Sequence, residues 1–418
     1  MSRLVLATFG SLGDLHPVFA LALELRRRGH HTVIATSELY REKVSALGFE
    51  FAPLRPELSV LDEQLVRRIM DGPRGSEFLL RKLMIPAVRD MLADLTRATA
   101  GADLLVTNEL VYAAPLLAEQ TGLRWVSYAL APLSYFSTCD PSVPPVALGG
   151  EWLHRMPRAF VRGSNLVASW LTHRWWRPIR ELRRELGLSP GGNPFFGGKH
   201  SARLDLALFS SVLQSPQPDW PASTVQTGFC FYDETHAAPT LPPAVENFLA
   251  AGEPPIVFTL GSAAVFAAED FYHESARAAQ VLGRRALLLL GNNPPPPDLP
   301  PSTLAWDYLP FAQVFPRAAA VVHQGGVGTT AQALRAGRPM LVVPFAHDQF
   351  DNGARVTRRG VGRVLRRPRY RADRAARELA ALLVSPQSAH RAAEISASLR
   401  HENGPTAACD ALECTLTS

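Results

Sequence analysis

The 418 residues carry 47% hydrophobic and 19% charged side chains, ordinary for a folded globular chain and against disorder or a fibrous repeat. A formal charge of +5, from 43 basic and 38 acidic residues, is too small and too dispersed to mark a nucleic-acid groove, although anionic ligands fit it. Four cysteines without a CxxC pair exclude a disulfide scaffold or zinc ribbon and point to a reducing cytoplasm, and no apolar run reaches the ~20 residues that span a bilayer. The length exceeds what one hydrophobic core usually organises, so two domains of similar size are expected.

Arg3 to Phe9 is a short apolar run that enters the turn Gly10-Ser11-Leu12-Gly13, and it reads as a buried parallel strand rather than a secretory leader. Pro17 suits a first helical position, which makes His16 the expected cap. Val18, Leu21 and Leu25 then recur at helical spacing, Arg26 to Arg28 suit the negative C-terminal end, and Gly29 closes it. His31 to Thr36 is the next strand. Helices are expected at Gln64 to Met70 and Gly75 to Thr99, a strand at Leu104 to Thr107, a helix at Ala113 to Thr121 and a strand at Trp125 to Leu130. This alternation is that of a doubly wound parallel sheet.

From Ala131 to His200 the rhythm gives way to aromatic, Pro-rich and Arg-rich segments that include Trp170, Trp175, Trp176 and Arg177. Such an insertion can line a pocket, pack as an ordinary helix on the sheet, or lie on a membrane surface in peripheral contact. The aperiodic segment DETHAAPTLPP holds a linker at 236–243. Beyond it come a strand at Pro255 to Leu260, a helix at Glu269 to Leu282, strands at Arg285 to Leu290, Ala319 to Val322 and Met340 to Pro344, and a helix at Thr329 to Ala336. Ala389 to Leu416 reads as helical. Two α/β Rossmann-like domains are therefore expected, at 1–235 and 244–395, followed by a terminal segment 396–418.

Ligands of open parallel sheets bind beyond the carboxyl ends of strands, which directs the search to the loops after Phe9, Leu260, Val322 and Pro344. The segment His323-Gln324-Gly325-Gly326-Val327-Gly328-Thr329-Thr330 passes from a strand end through glycines into a helix. Its free backbone N–H groups and positive dipole suit a phosphate, and Thr329 adds a hydroxyl. The lysine of a P-loop and the spacing GxGxxG are both missing, so neither an NTPase nor a simple dehydrogenase is indicated. The same glycines also suit a tight turn that holds no ligand.

Flanking motifs weigh against the empty turn. Tyr308-Leu309-Pro310 lies upstream and Pro344-Phe345-Ala346-His347-Asp348-Gln349 downstream, and Tyr308 to Asn352 resembles the donor-binding signature of family 1 UDP-glycosyltransferases. The opening FGSLGDLHP resembles their acceptor-side motif. GDLHP, the DWP at Asp219, TGFCFYD and AHDQFDN together are similar to the bacterial branch that contains the B subunit of rhamnosyltransferase, and the resemblance spans nearly the whole sequence. It implies a GT-B fold, with two Rossmann-like domains facing each other across a cleft and 396–418 crossing back to the first. It also implies inverting, metal-independent transfer of a hexose, glucose or rhamnose, from a UDP- or dTDP-sugar. The acceptor would be a hydroxyl of a small lipophilic phenol, terpenoid or hydroxy-fatty acid.

Carried over by position, Tyr308 with Leu309 takes the nucleotide base, and Gln332 the ribose, where many relatives have glutamate. Asp348 and Gln349 take the sugar hydroxyls. Gly13, Ser262, Gly326, Gly328 and Thr329 face the diphosphate. Gln324 stands where relatives have a phosphate-binding histidine; either its amide donates, or His323 reaches round, or backbone N–H groups suffice. On its residue type alone Asp348 could equally cap the following helix.

Asp14 is the candidate base and His16 its rival, with Asn108 at the position of a supporting carboxylate. At an ordinary pKa of about 3.9 an aspartate is a weak base, so late proton transfer is expected. No DxD motif or cluster of His and carboxylate ligands calls for a metal or another cofactor. Two other readings share the architecture: a UDP-sugar 2-epimerase, which needs no acceptor pocket, and a catalytically weak nucleotide-sugar-binding partner protein, suggested by Gln324 and Gln332.

Overall fold

A computed structural model describes residues 1–57, 62–145, 150–233 and 241–417. Its strands form two wholly parallel sheets. The first contains β1 (Arg3–Ala7), β2 (His31–Thr36), β3 (Glu50–Pro53), β4 (Leu104–Asn108), β5 (Arg124–Ala129), β6 (Asp205–Ala207) and β7 (Thr224–Gln226), in the order β3-β2-β1-β4-β5-β6-β7. The second contains β8 (Ile256–Thr259), β9 (Ala286–Leu289), β10 (Thr303–Trp306), β11 (Ala320–His323), β12 (Met340–Val342) and β13 (Gly362–Val364), in the order β10-β9-β8-β11-β12-β13. Each order reverses beside its first strand, at β1/β4 and at β8/β11. Loops leaving the carboxyl ends there splay apart and leave a crevice. The central strands are continuous apolar runs because helices cover both faces, and β4 is buried along its whole length.

Several expected boundaries move. The first helix is Leu12–Arg27, so it starts five residues before Pro17, and Ser11 rather than His16 is its cap. Position 17 therefore lies inside the helix, where proline has no N–H to give the carbonyl of Gly13. The single helix expected over Gly75 to Thr99 divides into Gly72–Phe78, a π-helical turn Leu79–Met84, and Val88–Ala98; Pro86 lies in the last break. Ala389 to Leu416 falls in two helices, Pro386–Leu399 and Gly404–Thr417. The insertion contains Arg158–Thr172 and Arg177–Glu185. Of the linker at 236–243, residues 236–240 lie outside the described residues.

Two clusters of charged side chains are prominent among the contacts between the halves of the molecule. The last helix packs on Leu12–Arg27, where Arg28 Nη1 donates to Asp410 (2.6 Å) and Glu413 (2.7 Å), and His30 lies 3.0 Å from Glu413. On the other side of the molecule Arg355 is wholly buried. Its Nε donates to Asp351 (2.7 Å), Nη1 to Asp140 (2.7 Å) and Nη2 to the Ser142 hydroxyl (3.1 Å), while the backbone N–H of Val143 donates to Asp351 (3.0 Å). Asp140, Ser142 and Val143 belong to the insertion after β5, and Asp351 and Arg355 to the helix Gln349–Arg358 of the second half. A guanidinium taken out of water is tolerable only with its donors satisfied. Arg355→Ala should therefore lower stability by about 3–5 kcal/mol, because it strands the buried Asp351. Denaturant unfolding checks this; an unchanged midpoint would show that the cross-cleft pair contributes nothing.

Candidate active site

The crevices of the two sheets face each other. The helices Leu12–Arg27 and Val327–Arg335 begin at opposite walls, and a Cβ on Gly328 would lie only 3.9 Å from the Cα of Gly13. Two positive helix ends thus converge on one spot. Cavities of about 320 and 340 Å³ meet there, and Gly13, Ser262, Gly328 and Thr329 line both.

Asp14 faces the larger cavity. Ser11 Oγ accepts from the Gly13 N–H (3.2 Å) and the Ser11 N–H donates to Asp14 Oδ2 (2.8 Å), a capping box that fixes the carboxylate. Gly10 makes the room: at φ 142° its Cβ would sit 2.2 Å from Asp14 Oδ2, so no side chain is admissible. Burial pushes Asp14 up to about 6, opposed by the Ser11 hydrogen bonds and helped by the charge of Glu109. Asn108 does not support Asp14. Its Nδ2 donates to the Phe9 carbonyl (2.8 Å) and Thr8 Oγ1 (3.3 Å), holding the turn instead.

Glu109 is a cavity residue that the sequence reading missed. It follows β4 at the switch point, so the strand-end rule would have flagged it, but its partners are remote in sequence. Although burial works against its charge, the ion pair with Lys199 and the Ser134 hydroxyl (2.9 Å) hold it below the ordinary carboxylate range. The outer wall of the cavity is apolar, built from Leu65, Val66, Ile69, Met70, Leu79, Leu80, Leu110 and Phe195.

His16 opens into the smaller cavity, with its ring 5.2 Å from that of Tyr232. Burial and then Lys43 pull it down to about 4. The two candidate bases thus belong to different cavities. Tyr308, half exposed, and Gln332 share the smaller one with His16.

Two residues are not brought to either cavity. Leu309 is buried in the core between the second sheet and its helices. His323, the last residue of β11, is also fully buried; its Nδ1 accepts from the Gly325 N–H (3.0 Å), its Nε2 lies 3.4 Å from Met340 Sδ, and burial pulls it down to about 3. It therefore cannot reach round to a phosphate. Strand alternation turns His323 into the core and presents the next residue, Gln324, to the larger cavity. Gln324 Nε2 lies 3.4 Å from Thr329 Oγ1, and its Oε1 is buried without a partner. Gly261, at φ 64°, leaves the space for this amide, since a Cβ there would meet Gln324 Nε2 at 2.3 Å.

Across the larger cavity, Asp348 begins the helix Gln349–Arg358, yet its side chain caps no backbone N–H, so helix capping does not explain it. Its Oδ2 accepts from Asn352 Nδ2 (2.7 Å), and Asn352 also donates to the Gly325 carbonyl (2.9 Å), tying the two glycine-side loops together. Burial pushes Asp348 up to about 7, against the Asn352 hydrogen bond and with the charges of Asp14 and Asp351. Gln349 Oε1 accepts from the N–H groups of Phe345 (2.8 Å) and Ala346 (3.1 Å), which leaves only its own N–H groups for a ligand. Gly326 lines the same cavity. His347, at φ 55°, meets the Ser76 hydroxyl (2.9 Å) from the opposite half. Among the described residues no group of three or more His, Cys, Asp or Glu side chains could hold a metal ion.

Comparison with known proteins fits these two halves. Residues 4–122 match the glycosyltransferase family 28 N-terminal domain, and residues 291–413 match the erythromycin biosynthesis protein CIII-like C-terminal domain. O-mycaminosyltylonolide 6-deoxyallosyltransferase of Streptomyces fradiae is 33% identical, covering 98% of this chain and 97% of that protein. Among solved structures, the glycotransferase of kitacinnamycin superposes with a TM-score of 0.76 at 21% identity, over 99% of both chains. Spinosyn rhamnosyltransferase SpnG complexed with thymidine diphosphate gives a TM-score of 0.67 at 17% identity, over 98% of this chain and 100% of that one. These two likenesses are of fold, two parallel α/β units in the GT-B arrangement. With a curated glycosyltransferase one-third identical along almost the full length of both proteins, this protein belongs to the family 1-like GT-B glycosyltransferases.

Proposed function

We propose that the protein transfers a hexose, with inversion and without a metal, from a nucleoside diphosphate sugar to the hydroxyl of a small lipophilic acceptor. The observation that carries this reading is the meeting of two cavities at opposed helix N-termini. One cavity is fitted for a nucleotide, the other is apolar with Asp14 at its inner end. The division proposed places the acceptor in 1–235 and the nucleotide sugar in 244–395. A thymidine diphosphate complex of a structural neighbour and the 6-deoxyallosyl group in a relative's name favour a dTDP-6-deoxyhexose such as dTDP-rhamnose over UDP-glucose.

In this reading the exposed ring of Tyr308 stacks on the base, which needs only an aromatic face, and Gln332 bonds the ribose diol. The diphosphate lies between the helix ends, against the backbone of Gly326 and Gly328 and the hydroxyls of Thr329 and Ser262. Because Gln324 Nε2 faces Thr329 Oγ1 as donor, the one hydroxyl hydrogen of Thr329 stays available for a phosphate oxygen. Asp348 and the Gln349 N–H groups hold the sugar hydroxyls. The acceptor oxygen attacks the anomeric carbon from the face opposite the diphosphate. As that bond forms, the bond to the diphosphate breaks and the acceptor proton passes to Asp14. A carboxylate raised to about 6 is a stronger base than the free side chain, so the proton transfer need not be as late as an ordinary aspartate would require. The leaving charge is met by helix ends and hydroxyls rather than by a cation.

Mass-spectrometric detection of glycosylated product, with dTDP-rhamnose and UDP-glucose in the presence of chelator, tests the reading directly. As the ionised carboxylate is the active form, kcat/KM should rise with pH through about 6. Asp14→Asn should abolish this limb and lower turnover on the order of 10²–10⁴-fold. Should His16→Ala remove the limb while Asp14→Asn leaves it, the role would pass to His16.

A second outcome concerns stability. Asp348 is held up to about 7 in the folded chain, against the ordinary value of 3.8, so the folded state keeps a proton that the unfolded state has lost. Stability of the substrate-free protein should therefore fall as pH rises from about 4 through about 7. Asp348→Asn should flatten that fall in thermal melts, and an unchanged slope would contradict the assigned burial cost.

A further inference from the structure

The helix Arg158–Thr172 is amphipathic in the wrong sense for a packed surface helix, because its apolar stripe faces water. Of its fifteen residues only Val161 is buried. Twelve large apolar side chains are exposed among the described residues, and six of them, Trp152, Phe160, Leu166, Val167, Trp170 and Leu171, lie on this helix or just before it. Trp170 is 75% exposed and Leu166 65%. Positions 160, 167 and 171 share one line along the helix and 166 and 170 the adjacent one, so they form a single stripe opposite Val161. Leaving so much contiguous apolar surface in water is costly, and such patches mark binding faces.

The charge around the stripe is of one sign. From Trp152 to Arg180 there is no Asp or Glu, whereas arginines stand at 155, 158, 162, 174, 177 and 180. Arg155, Arg158, Arg162 and Arg174 are exposed. A tryptophan- and leucine-bearing stripe flanked by arginines complements a surface that is apolar within and anionic at its edge. We propose that this face docks the enzyme on an anionic lipid surface, lying in the headgroup plane with Trp170, Leu171 and Phe160 immersed. No helix among the described residues is long and apolar enough to cross a membrane, so the contact is peripheral.

The inner side of the same helix leads to the acceptor cavity. Asn165 Nδ2 donates to the Phe136 carbonyl (3.0 Å), and Asn193 Nδ2 donates to the Ser169 hydroxyl (3.0 Å). The Phe136 ring lies 5.0 Å from that of Phe195, which walls the cavity. A lipophilic acceptor dissolved in the bilayer would thus reach the cavity past one layer of aromatic side chains. This route rests on the acceptor class proposed above, whereas the docking itself does not.

Vesicle flotation tests the docking without any glycosyl transfer. The full chain should float with phosphatidylcholine vesicles containing phosphatidylglycerol, float far less with phosphatidylcholine alone, and be released as salt rises. Leu166→Ser/Trp170→Ser should weaken partitioning on the order of tenfold or more. Arg158→Glu/Arg162→Glu should weaken it on the order of tenfold or more, and only with the anionic vesicles. Both variants alter exposed residues and should keep the thermal unfolding midpoint. The proposal is overturned if the wild type floats with neither vesicle or if both variants float as well as the wild type. It is equally overturned if sedimentation shows a dimer that the Leu166→Ser/Trp170→Ser variant abolishes, which would give the face to a second copy of the chain.

Discussion

Two helices in register end to end, with their N-termini converging on the gap between Gly13 and Gly328, are the feature on which the rest of the molecule depends. Each end carries partial positive charge, even though Ser11 caps the first helix, so their approach is unfavourable unless negative charge lies between them. An anion between them satisfies both at once. The diphosphate proposed for this cleft would meet that need.

The carboxylates are arranged around the same point with the opposite logic. Asp14 and Asp348 come from different halves and are both starved of water; the charge of Asp14 helps raise Asp348, as that of Glu109 helps raise Asp14. Glu109, which also lines the cavity, pairs with Lys199 and is held in its charged form. Environment thus separates three chemically similar groups into two whose protonated form burial favours and one held charged as half of an ion pair. The capping box at Ser11 holds Asp14 in place at the cost of one of its oxygens, so structure and chemistry share the side chain.

Much of this was legible in the sequence because parallel sheets announce themselves. The buried runs at β1, β4, β5, β8 and β11 are mostly apolar, and polar residues gather at their ends and in the loops after them. The strands β3, β6, β7, β10 and β13 were not legible, since each is three or four residues long and includes a polar or charged side chain, whereas the equally short β8, β9, β11 and β12 lie in more strongly apolar runs. Pro17 misled because a proline within a helix and a proline at its start look alike without the capping pattern Ser11-Leu12-Gly13-Asp14. His323 and Leu309 misled for another reason. A motif fixes positions along the chain, but only the pleat decides which neighbour faces the ligand, and here it is Gln324. Arg355 lay beyond any local pattern, for Asp140 is 215 residues away.

The return of the last helix to the first half has a mechanical consequence. The polypeptide passes between the halves twice, once after Asp233 and once between Leu399 and Gly404, so they are joined at two places rather than one. Bodies pinned at two points can turn only about the line that joins them. The cleft of this transferase is thereby restricted to a single swing, as a door on two hinges. Arg355 and its aspartates act as the bolt on the free edge, and the two cavities that meet at Gly13 and Gly328 must open and close together.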